Sequence, residues 1–478
     1  MRRVLWALLL INAARLALSF GFELVPQEAY YWFYSQHLAL SYFDHPPAIA
    51  VLVRLSTAVL GQHEYALRLT AFTLTALTQW SFWKLSERFV PRARRRRALL
   101  LFASTGMITV LSLISLPDVP LLLFWTLSLQ ALSSAVFGGR RWGWIAAGLC
   151  MGLAFDSKYT GLLLQLGLVL FLLWSRPHRP LLRTPWPWVS LALAHAVMLP
   201  VYVWNAQHGF ASFLFQSRDR ASGGFHPGLR HFGALLASQA AVFGPLLFFA
   251  LALALLRPPR RARPRQLFLA AFALPLFALC LGLSLGTLVK PNWLMPCYVS
   301  GMLLVARGLP WRLGRASLRL SAALHALAAI ELLFYPVPIR SDDTWVGWRA
   351  LAAQVAALAD RSPGAFLFSA DEYKTSAELL FYQRRRVYGP EVIGGRGLQF
   401  AFVDTRADLE ALRGRPALFI DSAPRDSSPG RSGRIPEAAL RSFAGCEELD
   451  PIVVGRGARV LRKFLVYRCL DYRGPPGT

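Results

Sequence analysis

Long apolar runs alternate with short polar connections along most of this chain, and arginines crowd every second connection. The runs cover roughly 4–20, 65–83, 98–114, 120–137, 142–155 and 159–174, and then 188–204, 232–256, 267–285, 294–306 and 320–335. A helix needs about 20 residues to cross the hydrocarbon core, and polar flanks extend the shorter runs, so the pattern predicts about eleven transmembrane helices. The arginine clusters lie at 2–3, 92–97, 140–141, 176–183, 257–265 and 307–319. Their placement is the positive-inside signature, which sets the N-terminus on the cytoplasmic side. The first run resembles a signal peptide, but no small-residue cleavage site follows it, and it is expected to be retained as the first helix. An odd number of spans starting inside then places everything after about Pro336 outside. The expected division is a transmembrane domain over 1–337, with an outer loop over 21–64, and an outer domain over 338–478. In that tail the composition turns to Asp, Arg, Gly, Ser and Pro with short apolar runs, which reads as a small α/β domain on the periplasmic face. The stretch 425–434, rich in Arg and Ser, reads as a loop within it.

Composition supports a bilayer rather than a soluble surface. Hydrophobic residues make up 55% of the chain, charged residues only 16%, and mean hydropathy is +0.40. The net charge of +26 sits mostly in short loops beside apolar runs, so it reports topology and contact with anionic lipid headgroups rather than nucleic-acid binding. Cys150, Cys280 and Cys297 lie in or near spans and read as small packing residues. Cys446 and Cys469 lie in the tail, in an oxidising space under this topology, and are expected to pair. There is no Walker loop, no dinucleotide fingerprint, no Cys-x-x-Cys and no Gly-x-Ser-x-Gly elbow. A soluble nucleotide sugar held by a Rossmann domain is therefore not the expected donor.

The candidate chemistry lies where polar residues interrupt the outer ends of apolar runs. The first outer loop reads Gln27-Glu28-Ala29-Tyr30-Tyr31-Trp32 and, further on, Phe43-Asp44-His45-Pro46-Pro47. Glu28 and Asp44 are carboxylates set among aromatics at the expected water–lipid boundary, able to divide acid–base and orienting roles, or equally to be solvated loop acids beside an aromatic belt. Asp118, in Leu116-Pro117-Asp118-Val119-Pro120, caps a helix or contributes to a site. Asp156 and Lys158 interrupt two apolar runs, and Lys158 reads as a snorkelling cation, a local partner of Asp156, or an anion contact. Asn205, His208 and Arg218 follow the seventh run among aromatics, and His208 has no partner at metal-ligand spacing. Lys290, Asn292 and Trp293 mark the outer end of another run. In the tail, Tyr373 follows Asp371-Glu372 and precedes a helical stretch ending in Phe381-Tyr382.

These segments together resemble the GT-C-fold glycosyltransferases related to the protein O-mannosyltransferases and to the aminoarabinose transferase of lipid A. In that family the first outer loop opens on an Asp-Glu pair followed by aromatics, and a later acid precedes a proline. Glu28 matches the second acid and Asp44 the later one, whereas Gln27 stands where the family has its first acid, and an amide cannot act as a general base. The resemblance implies that Lys158, with Arg218 or Lys290, contacts the phosphate of a lipid-linked sugar donor. It implies that Gln27, Tyr30, Tyr31, His45, Asp118, Asn205, His208, Asn292, Trp293 and Tyr373 line the substrate site. The implied activity is transfer of a sugar from a polyprenyl-phosphate donor to an envelope glycolipid, polysaccharide or protein, at the periplasmic face of a bacterial inner membrane. Asp44 or Glu28 then takes the acceptor proton, and direct displacement inverts the anomeric carbon. The scheme requires no cofactor, although carboxylate pairs of this kind are able to hold a divalent cation. The alternatives from other classes are a flippase that moves a lipid-linked sugar without making a bond, and a noncatalytic assembly factor. The long outer loop and large outer domain favour the enzyme over an inverted-repeat carrier.

Overall fold

The computed structural model describes residues 2–219, 227–256, 263–337, 343–422 and 435–476; the loop expected at 425–434 falls outside them. The helices in chain order begin with α1 (Arg2–Ser19), α2 (Pro26–Gln36), α3 (Ala48–Leu60), α4 (Glu64–Phe89), α5 (Arg92–Ala103), α6 (Gly106–Leu113), α7 (Asp118–Gly138) and α8 (Arg141–Ser157). They continue as α9 (Leu163–Trp174), α10 (Trp186–Gln207), α11 (Ala211–Leu214), α12 (Leu229–Phe243), α13 (Pro245–Leu256), α14 (Pro264–Leu283), α15 (Met295–Gly308) and α16 (Trp311–Phe334). Among the described residues, α7, α10, α14 and α16 are each long and apolar enough to cross a membrane, and two bent pairs raise the number to six.

Both bent pairs fall inside runs that read as continuous in the sequence. The run 98–114 breaks between α5 and α6, which meet at 57°. There Thr105 caps the second piece by accepting from the Ile108 N–H at 3.4 Å. The break frees carbonyls of the first piece, and Arg15 from α1 supplies donors: its guanidinium bonds the Ala103 carbonyl and lies 2.7 Å from the Thr109 hydroxyl. The run 232–256 breaks at Gly244, where α12 and α13 diverge by 114°. Gly244 has φ of +96°, a conformation open to glycine and strained for other residues.

The chain divides into two compact units. One comprises Met1–Ser19, Ala39–Ile49 and Arg68–Ala329. Its core is aliphatic and aromatic throughout, with Phe82 stacked on Phe102 at 4.0 Å and Trp125 fully buried. The α8–α10 seam is closed by small residues. A Cβ on Gly148 would lie 2.5 Å from the Ser190 carbonyl oxygen, and one on Gly152 would lie 2.4 Å from the Val197 Cβ. This seam carries α8 to its C-terminus, where Lys158 follows.

The other unit comprises Phe20–Leu38, Ala50–Leu67 and Ile330–Thr478. After α17 (Trp348–Asp360) come β1 (Phe366–Phe368), α18 (Lys374–Gln383), β2 (Val387–Tyr388), α19 (Phe400–Val403), α20 (Arg406–Glu410), β3 (Ala417–Asp421), α21 (Glu437–Ser442), β4 (Phe443–Arg456) and β5 (Arg459–Tyr472). The sheet order is β2-β1-β3-β5-β4, with the first three strands parallel and the last two antiparallel additions. Cys446 and Cys469 face one another across β4 and β5 and form a disulfide. The aromatic helix α2 packs on α18, with Trp32 edge-on to Phe381 at 5.2 Å.

Candidate active site

In the first unit, a buried polar cluster forms where three inter-helix connections meet. Lys158 ends α8 in extended backbone, with φ of −160° and ψ of 139°, so it leaves the helix direction at that residue. Its ammonium donates to Asp118 Oδ1 at 2.8 Å, and both side chains are buried. Asp118 is held in turn by the first turn of α7, where a carboxylate complements the helix dipole. Its second oxygen accepts from Asn292 Nδ2 at 2.9 Å, and Asn292 sits in the short 3₁₀ turn Pro291–Leu294. A buried charge pair of this kind is sustained only when its remaining hydrogen-bonding capacity is met, and Asn292 meets it for Asp118.

A second polar group gathers around Asp44. Asp44 is buried, with 8% of its surface exposed, and its backbone carbonyl accepts from Gln216 Nε2 at 2.6 Å. Phe43 and Phe215 pack with ring centres 4.7 Å apart, so the segment after α10 is fastened to the Asp44 loop on two sides. The Asp44 charge also acts on the hydroxyl of Tyr159, which hydrogen-bonds Ser212. Asn205 is fully buried and organises the turn beyond α10. Its Oδ1 accepts from the Phe213 N–H at 3.2 Å, and its Nδ2 donates to the Val201 carbonyl at 3.0 Å. His208 stacks on Trp204 at 4.2 Å and hydrogen-bonds the Trp204 carbonyl through Nδ1. His45, Asn292 and Trp293 are half-buried, while Lys290 is exposed. The side chain of Arg218 lies outside those described.

The remaining sequence candidates lie in the second unit. Glu28 is fully buried in the first turn of α2 and accepts from the Val25 N–H at 3.4 Å, the reciprocal half of a capping arrangement. Gln27, beside it, is half-buried. Tyr30 is sandwiched between Tyr373, stacked at 4.2 Å, and Phe400, and its hydroxyl accepts from the Gln399 N–H at 3.0 Å. Tyr31 is likewise buried. These aromatics, expected to line a substrate site, build the interior of this unit. Among the described residues no group of three or more His, Cys, Asp or Glu side chains is placed to hold a metal ion.

Residues 44–204 match the dolichyl-phosphate-mannose-protein mannosyltransferase family. The chain is 26% identical over 410 residues to a lipid A galacturonosyltransferase of Rhizobium johnstonii, covering 83% of this chain and 85% of that protein. It is 30% identical over 339 residues to an undecaprenyl phosphate-alpha-4-amino-4-deoxy-L-arabinose arabinosyl transferase of Pseudomonas aeruginosa, covering 65% of this chain and 60% of that protein. The fold matches the crystal structure of ArnT from Cupriavidus metallidurans bound to undecaprenyl phosphate, with a TM-score of 0.66, 16% identity and coverage of 99% and 98%. This chain has the helical GT-C fold.

Within this GT-C fold, Asp118, Lys158 and Asn292, drawn from three separate motifs, meet within hydrogen-bonding distance. Sequence reasoning did not assign Tyr159 or Ser212. A tyrosine directly after Lys158 was the available signal for the first. Nothing in the spacing announced that residues 211–217 return to the Asp44 loop.

Proposed function

We propose that this glycosyltransferase moves a sugar from a polyprenyl-phosphate donor to an envelope glycolipid, with a polysaccharide or protein as the other acceptor classes. The two enzymes it resembles in sequence act, by their names, on lipid A and with an undecaprenyl-phosphate-linked aminoarabinose, which ranks lipid A first among acceptors. The reaction takes place on the periplasmic side of a bacterial inner membrane that the chain crosses about eleven times, with the α/β unit outside. No resident cofactor is needed.

Lys158 faces the donor phosphate in this scheme, assisted by Lys290 and Arg218. As the acceptor oxygen or nitrogen bonds to the anomeric carbon, the bond from that carbon to the phosphate oxygen breaks with inversion. The electron pair leaves with polyprenyl phosphate, whose growing charge a fixed ammonium stabilises. Asp44 takes the proton released by the acceptor. Glu28 is reserved for holding the first turn of α2, because its carboxylate is buried and already engaged there. Gln27 then needs no acid–base role.

The observation that carries this reading is a buried lysine at the end of α8 held by an aspartate from a second connection, which an amide from a third holds in turn. Hydrocarbon does not tolerate such an arrangement without a function to retain it. The test is a reconstituted assay with a radiolabelled undecaprenyl-phosphate sugar and lipid A, alongside mass spectrometry of envelope glycans with and without the protein. Label appearing on a new acceptor supports transfer. Donor that crosses the bilayer intact, with no new glycan mass, means a flippase instead.

A further inference from the structure

Two buried residues outside every role assigned above connect a broken helix to the lysine. Gln239 on α12 and Tyr298 on α15 are both fully buried. The Tyr298 hydroxyl donates to Gln239 Oε1 at 2.5 Å, and Gln239 Nε2 donates to the Pro291 carbonyl at 3.1 Å. A carbonyl only accepts, so the contact with Pro291 fixes which end of the amide faces it, and the tyrosine hydroxyl holds the other end. The ring of Tyr298 stacks on Phe243 at 3.9 Å and 6°, directly before the break at Gly244.

Pro291 precedes Asn292, and the chain of contacts continues through Asn292 Nδ2 to Asp118 Oδ2 and from Asp118 Oδ1 to Lys158 Nζ. Each link removes a freedom the next one would have. A lysine ammonium on its four-carbon stem has no preferred direction of its own and takes one from its partner. Asp118 has two oxygens and is held at both. Asn292 stands on a turn of four residues, too short to hold itself, and Gln239 anchors that turn through the Pro291 carbonyl.

We propose that Gln239 and Tyr298 are positioning residues for Lys158, acting through the Pro291–Asn292 turn and Asp118, and that they set its grip on the donor phosphate. This rests on the assignment of Lys158 to that phosphate. The competing account is that the two residues only satisfy each other's buried polar atoms. That account predicts a loss of stability and no change at a lysine reached through three further groups.

The experiment uses full-length protein in lipid nanodiscs, with undecaprenyl phosphate as probe and amine acetylation of Lys158 followed by mass spectrometry across pH. Tyr298→Phe keeps the ring stacked on Phe243 and removes only the hydroxyl. It should weaken undecaprenyl phosphate binding by about 3- to 10-fold, the scale of one hydrogen bond, with a several-fold change in Lys158 acetylation rate and a melting temperature within about 4 °C of the parent. In an Asp118→Asn background the same change should have no further effect on acetylation. Gln239→Met supplies the same readouts if Tyr298→Phe does not accumulate. Parent-like binding and acetylation in these variants overturn the proposal, as does a binding loss that only tracks a fall in melting temperature. Lys158→Met separates the two layers. If it binds the probe normally, the phosphate assignment is wrong, while acetylation of Lys158 in the other variants still decides the positioning claim.

Discussion

Asp44 and Lys158 divide the proposed chemistry between a proton acceptor and a fixed cation, and single substitutions separate these roles. Asp44→Asn keeps the shape and removes the basicity, so transfer in the reconstituted assay should fall by about 100- to 10,000-fold while protein level and melting temperature hold. Near-normal transfer in that variant would sink the assignment. The Asp118–Lys158 pair is buried, and removing one member leaves the other charge uncompensated. Asp118→Ala should therefore cost about 3–5 kcal/mol of stability, whereas Asp118→Asn combined with Lys158→Met should recover most of it without restoring transfer. Thermal unfolding and the transfer assay on the same preparations check both halves. The charged residues themselves were legible, because an acid or lysine interrupting an apolar run stands out. Their partners were not. Asp156 lies two residues from Lys158 and is the natural local partner in the sequence, yet the ammonium reaches Asp118 instead. The reason is local geometry. The helix ends at Ser157, Lys158 turns into extended backbone, and Asp156 stays on the helix face that Gly148 and Gly152 press against α10, with its Oδ1 left without a hydrogen bond.

At the level of elements, hydropathy located the runs but not their breaks. Residues 98–114 and 232–256 carry no charged side chain, and hydropathy alone cannot distinguish one helix from two that meet at an angle. The breaks are marked by Ser104-Thr105 and by Gly244-Pro245, and glycine and proline are also tolerated inside unbroken membrane helices. The first outer loop misled in the opposite direction. Its aromatics suggested a boundary belt, but α2 buries Tyr30, Tyr31, Trp32 and Phe33 against α18 and the residues around Phe400. A run of five aromatics within one helix has to be covered by something, and the distant sequence that covers it carries no local signal. The Gly148–Gly152 spacing was, by contrast, readable as two small residues one turn apart. Gly152→Val should force α8 away from α10, costing about 1–3 kcal/mol as an overpacked seam. Because α8 ends at Lys158, donor binding should weaken in the same variant. Unfolding at a lower temperature together with unchanged undecaprenyl phosphate binding would show that the seam matters for stability alone.

For the molecule as a whole, the clearest pH dependence comes from acids buried in the α/β unit. The shift to a polar, strand-forming composition after 337 made that unit visible in the sequence, and its disulfide cysteines with it, but nothing local predicts acids in its interior. Burial pushes Glu391 up to about 8, with the neighbouring Asp404 charge adding to the effect; burial raises Asp404 as well, and Arg386, 2.8 Å from it, opposes that rise. Glu378, on the face of α18 next to α2, is fully buried with no hydrogen bond to either oxygen, and burial raises it as well. Both acids are raised above their unfolded value, so the folded state holds more protons than the unfolded state above about pH 4.5, and for Glu391 this window closes near 8. Stability is then greatest below about 4.5 from this source and declines as pH rises through the window, by about 1.4 kcal/mol per pH unit for each group while it remains protonated only in the folded state. Melting of the full-length protein at pH 5, 6.5 and 8 should show that decline, and Glu391→Gln, which cannot ionise, should flatten it by one group's share. A slope identical in parent and variant would place the proton elsewhere.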